Sequence, residues 1–268
     1  MDLKLTGRRV LISGSSSGIG AGTARMFAEE GARVIIHGRN RERAEAVAAK
    51  IGAAGVAIGD LATDEGAEAV HAQAVAALGG NVEVLVNNAG GSSTGNSAVP
   101  PLAMPIADWV SNYHANFLAA VRLIRLATPA MVEAGFGRVI NVSSVVAVQP
   151  NNLGADYSAA KAALNNMTVS LAGSLRSSGV TVNTVTPGII IGDGLIRSMR
   201  DRFGDQTLTP EQITARMVEL KIFELPPAGR LGIDEDIGLV VCTLASPRSG
   251  FVTGANYRVD GGQVKAVL

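Results

Sequence analysis

The sequence predicts an α/β fold: a doubly wound parallel sheet of Rossmann type with helices on both faces. Three observations predict it. Short β-branched and apolar runs alternate with helical stretches along most of the chain, as they do where parallel strands are joined by crossover helices. The first run passes through a glycine-rich turn straight into a helix, the opening of a phosphate-binding βαβ unit. No internal repeat or linker divides the chain, so residues 1–268 read as one domain.

The elements follow in order. Residues 10–12, Val10-Leu11-Ile12, form the first strand, and Ser13-Gly14-Ser15-Ser16-Ser17-Gly18-Ile19-Gly20 the turn before a helix at 21–30. The glycines let backbone approach a pyrophosphate, and the helix start offers unpaired N–H groups. The second strand, 34–36, ends in His37-Gly38-Arg39-Asn40. NAD sites usually carry an acid there for the ribose 2′-hydroxyl; none is present, and Arg39 is placed to meet a 2′-phosphate by charge-assisted hydrogen bonds. A helix at 41–50 and a third strand at 56–58 lead to Asp60-Leu61. A helix at 64–78 and a fourth strand at 82–86 run into Asn87-Asn88-Ala89-Gly90-Gly91. After a Ser-, Gly- and Pro-rich loop to residue 105 comes a helix at 108–127, with Asn116 inside it. The fifth strand, 138–144, ends in Ser143-Ser144, and a loop through Gln149, Pro150 and Gly154 reaches the helix of Tyr157 and Lys161. A sixth strand, 180–185, ends at Pro187-Gly188. Residues 189–230 form a long excursion, the usual place for a substrate lid, with a helix near 210–220 capped by Thr209. A helix at 233–244 and a strand at 255–259 close the chain. Glycine turn, Arg39, Asp60 and the 88–90 turn all fall at carboxyl ends of strands, where ligands bind in such sheets.

Composition narrows the function. Apolar residues make up 47% of the chain, enough for a full core. Formal net charge is zero with no basic stripe, which argues against a nucleic-acid partner. No apolar run is long enough to span a bilayer and no signal peptide opens the chain, so a cytoplasmic protein without membrane partners is expected. The lone Cys242 lies in an apolar run and reads as a small buried hydrophobe. His37, His71 and His114 are scattered, so no metal site is expected.

Tyr157 and Lys161 stand four residues apart, on one face of a helix. A phenol titrates near pH 10; a neighbouring ammonium lowers that value and fits the pair to move a proton onto or off a carbonyl or alcohol oxygen.

Taken in order, Ser13-Gly14-x-x-x-Gly18-Ile19-Gly20, Asp60-Leu61, Asn87-Asn88-Ala89-Gly90, Asn116, Ser144, Tyr157-x-x-x-Lys161, Pro187-Gly188 and Val259-Asp260-Gly261-Gly262 resemble the short-chain dehydrogenase/reductase family in its compact single-domain branch. The resemblance covers 10–262. It implies a catalytic set of Asn116, Ser144, Tyr157 and Lys161. Tyr157 would be the general acid in reduction and the base in oxidation. Lys161 would lower its pKa and hold the nicotinamide ribose, and Ser144 would bind the substrate oxygen together with Tyr157. Asn116 would hold a water linked to Lys161. Ser143 is the rival for the serine role. The implied cofactor set is Gly14, Ser16, Ser17, Gly18, Ile19, Gly20, Arg39, Asn40, Asp60, Leu61, Asn88, Ala89, Gly90, Tyr157, Lys161, Pro187, Gly188 and Ile190.

Departures from the family pattern matter. Ser13 replaces a common Thr but keeps the hydroxyl, and Ser17 stands where many NADP-preferring members have Arg or Lys. Preference for NADP(H) therefore rests on Arg39 and on Gly38 in place of an acid. Ile189-Ile190-Ile191-Gly192 follows Pro187-Gly188 where a Thr is frequent, leaving backbone contact at Ile190. The expected function is an NADP(H)-dependent interconversion of a ketone and a secondary alcohol in a homo-oligomer, tetramer or dimer. A 3-oxoacyl thioester (acyl-carrier-protein) reductase is the alternative. A catalytically silent dinucleotide-binding regulator would be expected to lack Ser144, Tyr157 or Lys161. Leu153, Ile191, Leu195, Met199 and Phe203 near the expected pocket mouth predict a mainly apolar substrate, with Arg197, Arg200 and Arg202 on the lid offering an acidic tail a partner.

Overall fold

The computed structural model describes residues 1–91, 100–150 and 154–266. Among them, β1 (Arg9–Ile12), β2 (Arg33–Gly38), β3 (Gly55–Ile58), β4 (Val84–Asn87), β5 (Gly137–Val142), β6 (Val180–Pro187) and β7 (Asn256–Val259) form one parallel sheet in the order β3-β2-β1-β4-β5-β6-β7. The strand order reverses beside β1, between β1 and β4. A doubly wound sheet opens its ligand crevice at such a point.

Period-two alternation divides the strand side chains between two layers. On one face, Val10, Ile12, Val34, Ile36, Val84, Val86 and Ile140 pack with Phe27 of α1 (Gly18–Glu29), Ala44 of α2 (Arg41–Ile51) and Ile237, Val241 and Cys242 of α9 (Asp234–Ala245). Cys242 is a buried hydrophobe, as expected. On the other face, Leu11, Ile35, Leu85, Val139 and Val182 pack with Val70, Ala74 and Leu78 of α3 (Asp64–Leu78) and with Leu123, Ile124 and Met131 of α5 (Ala119–Glu133).

Three elements differ from expectation. Strand β5 ends at Val142, so Ser143 and Ser144 lie just beyond it. The helix expected at 108–127 is longer: α4 (Ile106–Tyr113) passes through a π-turn at His114–Leu118 into α5. This continuous helix of 28 residues is long and apolar enough to cross a bilayer, contrary to the expectation that no run is. Leu123, Ala127 and Met131 are nonetheless buried in the domain core, so its apolar face serves the fold.

The segment at 189–230, expected to be a lid, also differs. Besides α8 (Pro210–Glu219), with its Thr209–Gln212 capping box, it holds α7 (Asp193–Phe203). Met199 is buried with Ile213 and Met217, and Ile191, Leu195 and Phe203 pack against them. Four of the residues expected to line an apolar substrate mouth therefore build the lid's own small core; the fifth, Leu153, lies outside the described residues. Arg200 is spent as well, donating from Nε and Nη2 to Leu208 O at 3.0 and 2.8 Å.

A buried polar chain ties the middle of the sheet to α6 (Ala155–Ser174). Asn87 Nδ2 donates to Asn141 Oδ1 (2.9 Å), Asn141 Nδ2 to Thr168 Oγ1 (2.9 Å), and Thr184 Oγ1 to Thr168 Oγ1 (2.8 Å). All four residues are buried, and breaking such a chain strands polar groups away from water. Asn141→Ala should lower unfolding free energy by about 1–3 kcal/mol, read as a lower urea midpoint with unchanged slope.

Candidate active site

Helix α6 is clamped to the end of β5 from two directions. Lys161 is 3% exposed and its Nζ donates to Val142 O at 2.9 Å. Ser143 is buried, and its Oγ donates to Lys161 O at 3.3 Å. Ser143 is thus turned into the helix, while Ser144, half-buried, faces Tyr157. Of the two serines, Ser144 is the one beside the phenol.

Electrostatics at the pair depart from expectation. Burial pushes the Tyr157 phenol above its ordinary pKa, and the hydrogen-bonding Ser144 side chain offsets part of that rise. Lys161 Nζ stands 5.7 Å from the phenol ring centroid and is engaged by a carbonyl. Burial lowers the Lys161 pKa to about 8. The phenol's pKa is therefore raised, with burial as the largest cause.

Asn116 lies in the π-turn, where a helix has slipped register, a feature frequent at functional sites. Its Oδ1 accepts from Gly91 N at 2.8 Å, and its Nδ2 donates to Gly91 O at 3.0 Å and Asn112 Oδ1 at 2.8 Å. The side chain thereby fixes the turn after β4 beside Lys161. A Cβ at Gly90 would stand 2.3 Å from Asn116 Oδ1 and 3.4 Å from Lys161 Nζ, so only glycine fits there.

The turn after β1 fits a pyrophosphate. Helix α1 begins without a side-chain cap from Ser17, whereas α2 and α3 are capped by Asn40 and Thr63. A side chain at Gly18 would meet no atom within 4 Å, so the space above the helix start is open. Open space over uncapped N–H groups is where an anion binds. Gly14 and Gly20 face the other way. A Cβ on Gly14 would lie 2.8 Å from Ala89 Cα, and one on Gly20 2.5 Å from Asn88 Nδ2. Asn88 Nδ2 donates to Ser13 O (3.0 Å) and Gly14 O (3.1 Å), so this residue braces the turn from beneath.

A cleft of about 530 Å³ brings together Gly14, Ser16, Ser17, Arg39, Asn40, Asp60, Leu61, Ala89 and Gly90. Asn40 Oδ1 accepts from Arg43 N at 2.9 Å and so caps α2. A side chain at Gly38 would come within 2.7 Å of Ser16 Oγ, so an acid does not fit without displacing Ser16. Gly18, Ile19 and Ile190 line a neighbouring cleft of about 640 Å³ that shares Ser16, Ser17 and Arg43 with the first. Gly188 is pressed against the chain's end: its Cβ would lie 2.8 Å from Asp260 Cα. Pro187, which is buried, and Gly188, which is half-buried, thus seat the start of the segment at 189–230. Sequence reasoning missed His37, Arg43 and the Asn141–Thr168 chain; for His37 the available signal was a histidine in an apolar strand at a strand end.

The family model for short chain dehydrogenases matches residues 8–201. The chain is a short-chain dehydrogenase/reductase. It is 35% identical over 261 residues to a 3-oxoacyl-[acyl-carrier-protein] reductase of Vibrio cholerae, covering 97% of this chain and 98% of that protein. It is 34% identical to an uncharacterized oxidoreductase of Bacillus subtilis, with both chains fully covered. The crystal structure of L-sorbose reductase from Gluconobacter frateurii, complexed with NADPH and L-sorbose, superposes with a TM-score of 0.89 at 30% identity over all of both chains. As a short-chain dehydrogenase/reductase the chain is an oxidoreductase built for a nicotinamide dinucleotide.

The buried Lys161 makes a signed prediction for the cofactor-free enzyme. Its folded-state pKa is about 8 against an ordinary 10.5. Between those values the unfolded chain binds the extra proton, so stability rises with pH. At about 1.4 kcal/mol per unit, the full gap is worth about 3 kcal/mol. Urea titrations of wild type and Lys161→Met between neutral pH and about pH 10.5 should show the difference shifting in favour of wild type as pH rises. A constant difference would contradict the burial of a titrating Lys161.

Proposed function

We propose that this enzyme is an NADP(H)-dependent oxidoreductase interconverting a ketone and a secondary alcohol of a small-molecule substrate. The convergence of Ser144, Tyr157 and Lys161 where β5 meets α6 carries the proposal. When bound, the nicotinamide supplies hydride in reduction and takes it in oxidation. The protein's task is to polarise the oxygen and move one proton. In reduction the Ser144 hydroxyl donates to the substrate oxygen, and the Tyr157 O–H gives that oxygen its proton. A phenol kept protonated by burial is loaded for this step. The ammonium of Lys161, held by Val142 O, stabilises the phenolate that remains. In oxidation the same phenolate takes the alcohol proton. Asn116 acts through Gly90 and Gly91, holding the turn against Lys161.

NADP over NAD is supported by three observations: Arg39 in the cleft, the absence of room for an acid at Gly38, and the NADPH bound in the L-sorbose reductase relative. Identity to the 3-oxoacyl-[acyl-carrier-protein] reductases favours a second reading, reduction of a 3-oxoacyl thioester by the same residues. A homo-oligomer built on α4 and α6 is supported by Ile106, Val110 and Val169, apolar and exposed at 77%, 51% and 61%.

Assays with a ketose and with a 3-oxoacyl thioester should reveal turnover on one of them. On that substrate Tyr157→Phe should lower kcat by at least about 100-fold while the dissociation constant for NADPH stays within twofold; retained turnover would remove Tyr157 as the acid. Arg39→Ala should raise the dissociation constant for NADPH by roughly 10-fold or more, as expected for a lost charge-assisted hydrogen bond, and leave that for NADH nearly unchanged. Equal effects on both would mean that Arg39 does not read the 2′-phosphate.

A further inference from the structure

His37 is a buried imidazole that the proposed chemistry does not use, and every polar atom it has is engaged at a strand end. It is 4% exposed and follows Ile36, the last residue of β2 paired with β1. Gly14 N donates to His37 Nδ1 at 2.8 Å, and Nε2 lies 3.2 Å from Gly59 O. With Nδ1 accepting, the ring proton sits on Nε2 and is donated to Gly59 O. The backbone is bound as well: His37 N donates to Ser15 Oγ (2.9 Å) and Ser15 N to His37 O (2.9 Å). One residue thus joins the phosphate-side turn after β1 to the turn after β3.

Both attachment points are seated firmly. Gly14 has φ +66°, and its added Cβ would strike Ala89. A Cβ on Gly59 would lie 2.7 Å from Val70 Cγ2 and 2.9 Å from Gly66 O. Gly59 precedes Asp60 and Leu61, which line the same cleft as Gly14, Ser16 and Ser17.

We infer that His37 is a positioning residue that sets the distance between the turn after β1, to which the cofactor's pyrophosphate is assigned, and the turn after β3, to which we assign its adenine because Asp60 and Leu61 share a cleft with Arg39. The inference rests on the dinucleotide reading above but not on the choice of NADP. The ring bridges the two turns only as the neutral Nε2–H tautomer. Burial secures that form, lowering its pKa to about 4, with Asp60 and Arg39 acting in opposite directions on it. A ligand touching both turns depends on their spacing, whereas a ligand touching one does not.

The test compares ADP-ribose, which spans both turns, with AMP, which lacks the pyrophosphate. Calorimetry on His37→Ala should show the dissociation constants of NADPH, NADH and ADP-ribose rising together by roughly 10-fold and that of AMP by less than twofold. Turnover at saturating cofactor should stay within twofold of wild type. His37→Asn keeps an acceptor for Gly14 N, and His37→Gln keeps a donor toward Gly59 O; each should recover part of the loss. These two variants also carry the comparison if the alanine variant does not fold. Equal weakening of AMP and ADP-ribose, or unchanged binding of ADP-ribose, would overturn the inference. Wild type that binds ADP-ribose but neither NADPH nor NADH would overturn the dinucleotide reading alone. Wild type that binds none of these ligands would overturn both.

Discussion

The bond from Lys161 Nζ to the carbonyl of Val142 is the constraint on which the site depends. It fixes the height of α6 against the last residue of β5, and Ser143 Oγ to Lys161 O fixes the same contact from the strand side. Ser144 and Tyr157 belong to different elements, so their relative placement has no local cause. It follows from this double clamp and from the Asn141–Thr168 chain deeper in the same helix. An ammonium in this position is costly to bury, which is why its pKa falls to about 8. In the proposed reaction that charge would stand close to the Tyr157 phenolate.

Around that clamp, glycine marks places where backbone must come close. Gly90 lies against Asn116 and Lys161, Gly14 against Ala89, Gly188 against Asp260. At the carboxyl end of the chain, a Cβ on Gly261 would lie 3.2 Å from Pro226 Cβ and one on Gly262 3.0 Å from Pro227 Cγ, at φ values of +62° and +86°. These two glycines seat the end of the lid. At Gly18, by contrast, an added Cβ would meet no atom within 4 Å.

Most of the fold was legible because its signals are local. Apolar runs of strand length and helical stretches alternate, and the cap at Thr209 stands where its helix begins. The cleft residues were legible because they follow strand ends. Other features depended on tertiary context. Tyr157 and Lys161 are adjacent on the helix, yet the direction of the phenol's pKa is set by how deeply the fold buries it. Asn116 and Asn88 were legible as positions but not as roles, since the partners of their amides lie on other elements. Helix α7 was within reach: Ile191, Leu195, Met199 and Phe203 recur every four residues, the period of a helix face. Read as pocket lining, the same residues predicted an apolar substrate; read as a helix, they predict a core.

That distinction bears on specificity. The lid carries its own apolar cluster of Met199, Ile213 and Met217, separate from the two layers of the main domain. Its connections to the domain include Ile190 packed against the main core, Ile191 N donating to Gly232 O at 2.8 Å and Ile189 N donating to Gln263 Oε1 at 3.2 Å. A segment folded around its own core can change outer side chains, or shift as a unit, without disturbing the clamp on Lys161. On the proposed function, the chemistry would lie with the clamp and the choice of substrate with residues 189–230. Similarity to a sugar reductase and to acyl-carrier-protein reductases at comparable identity is what such a division produces.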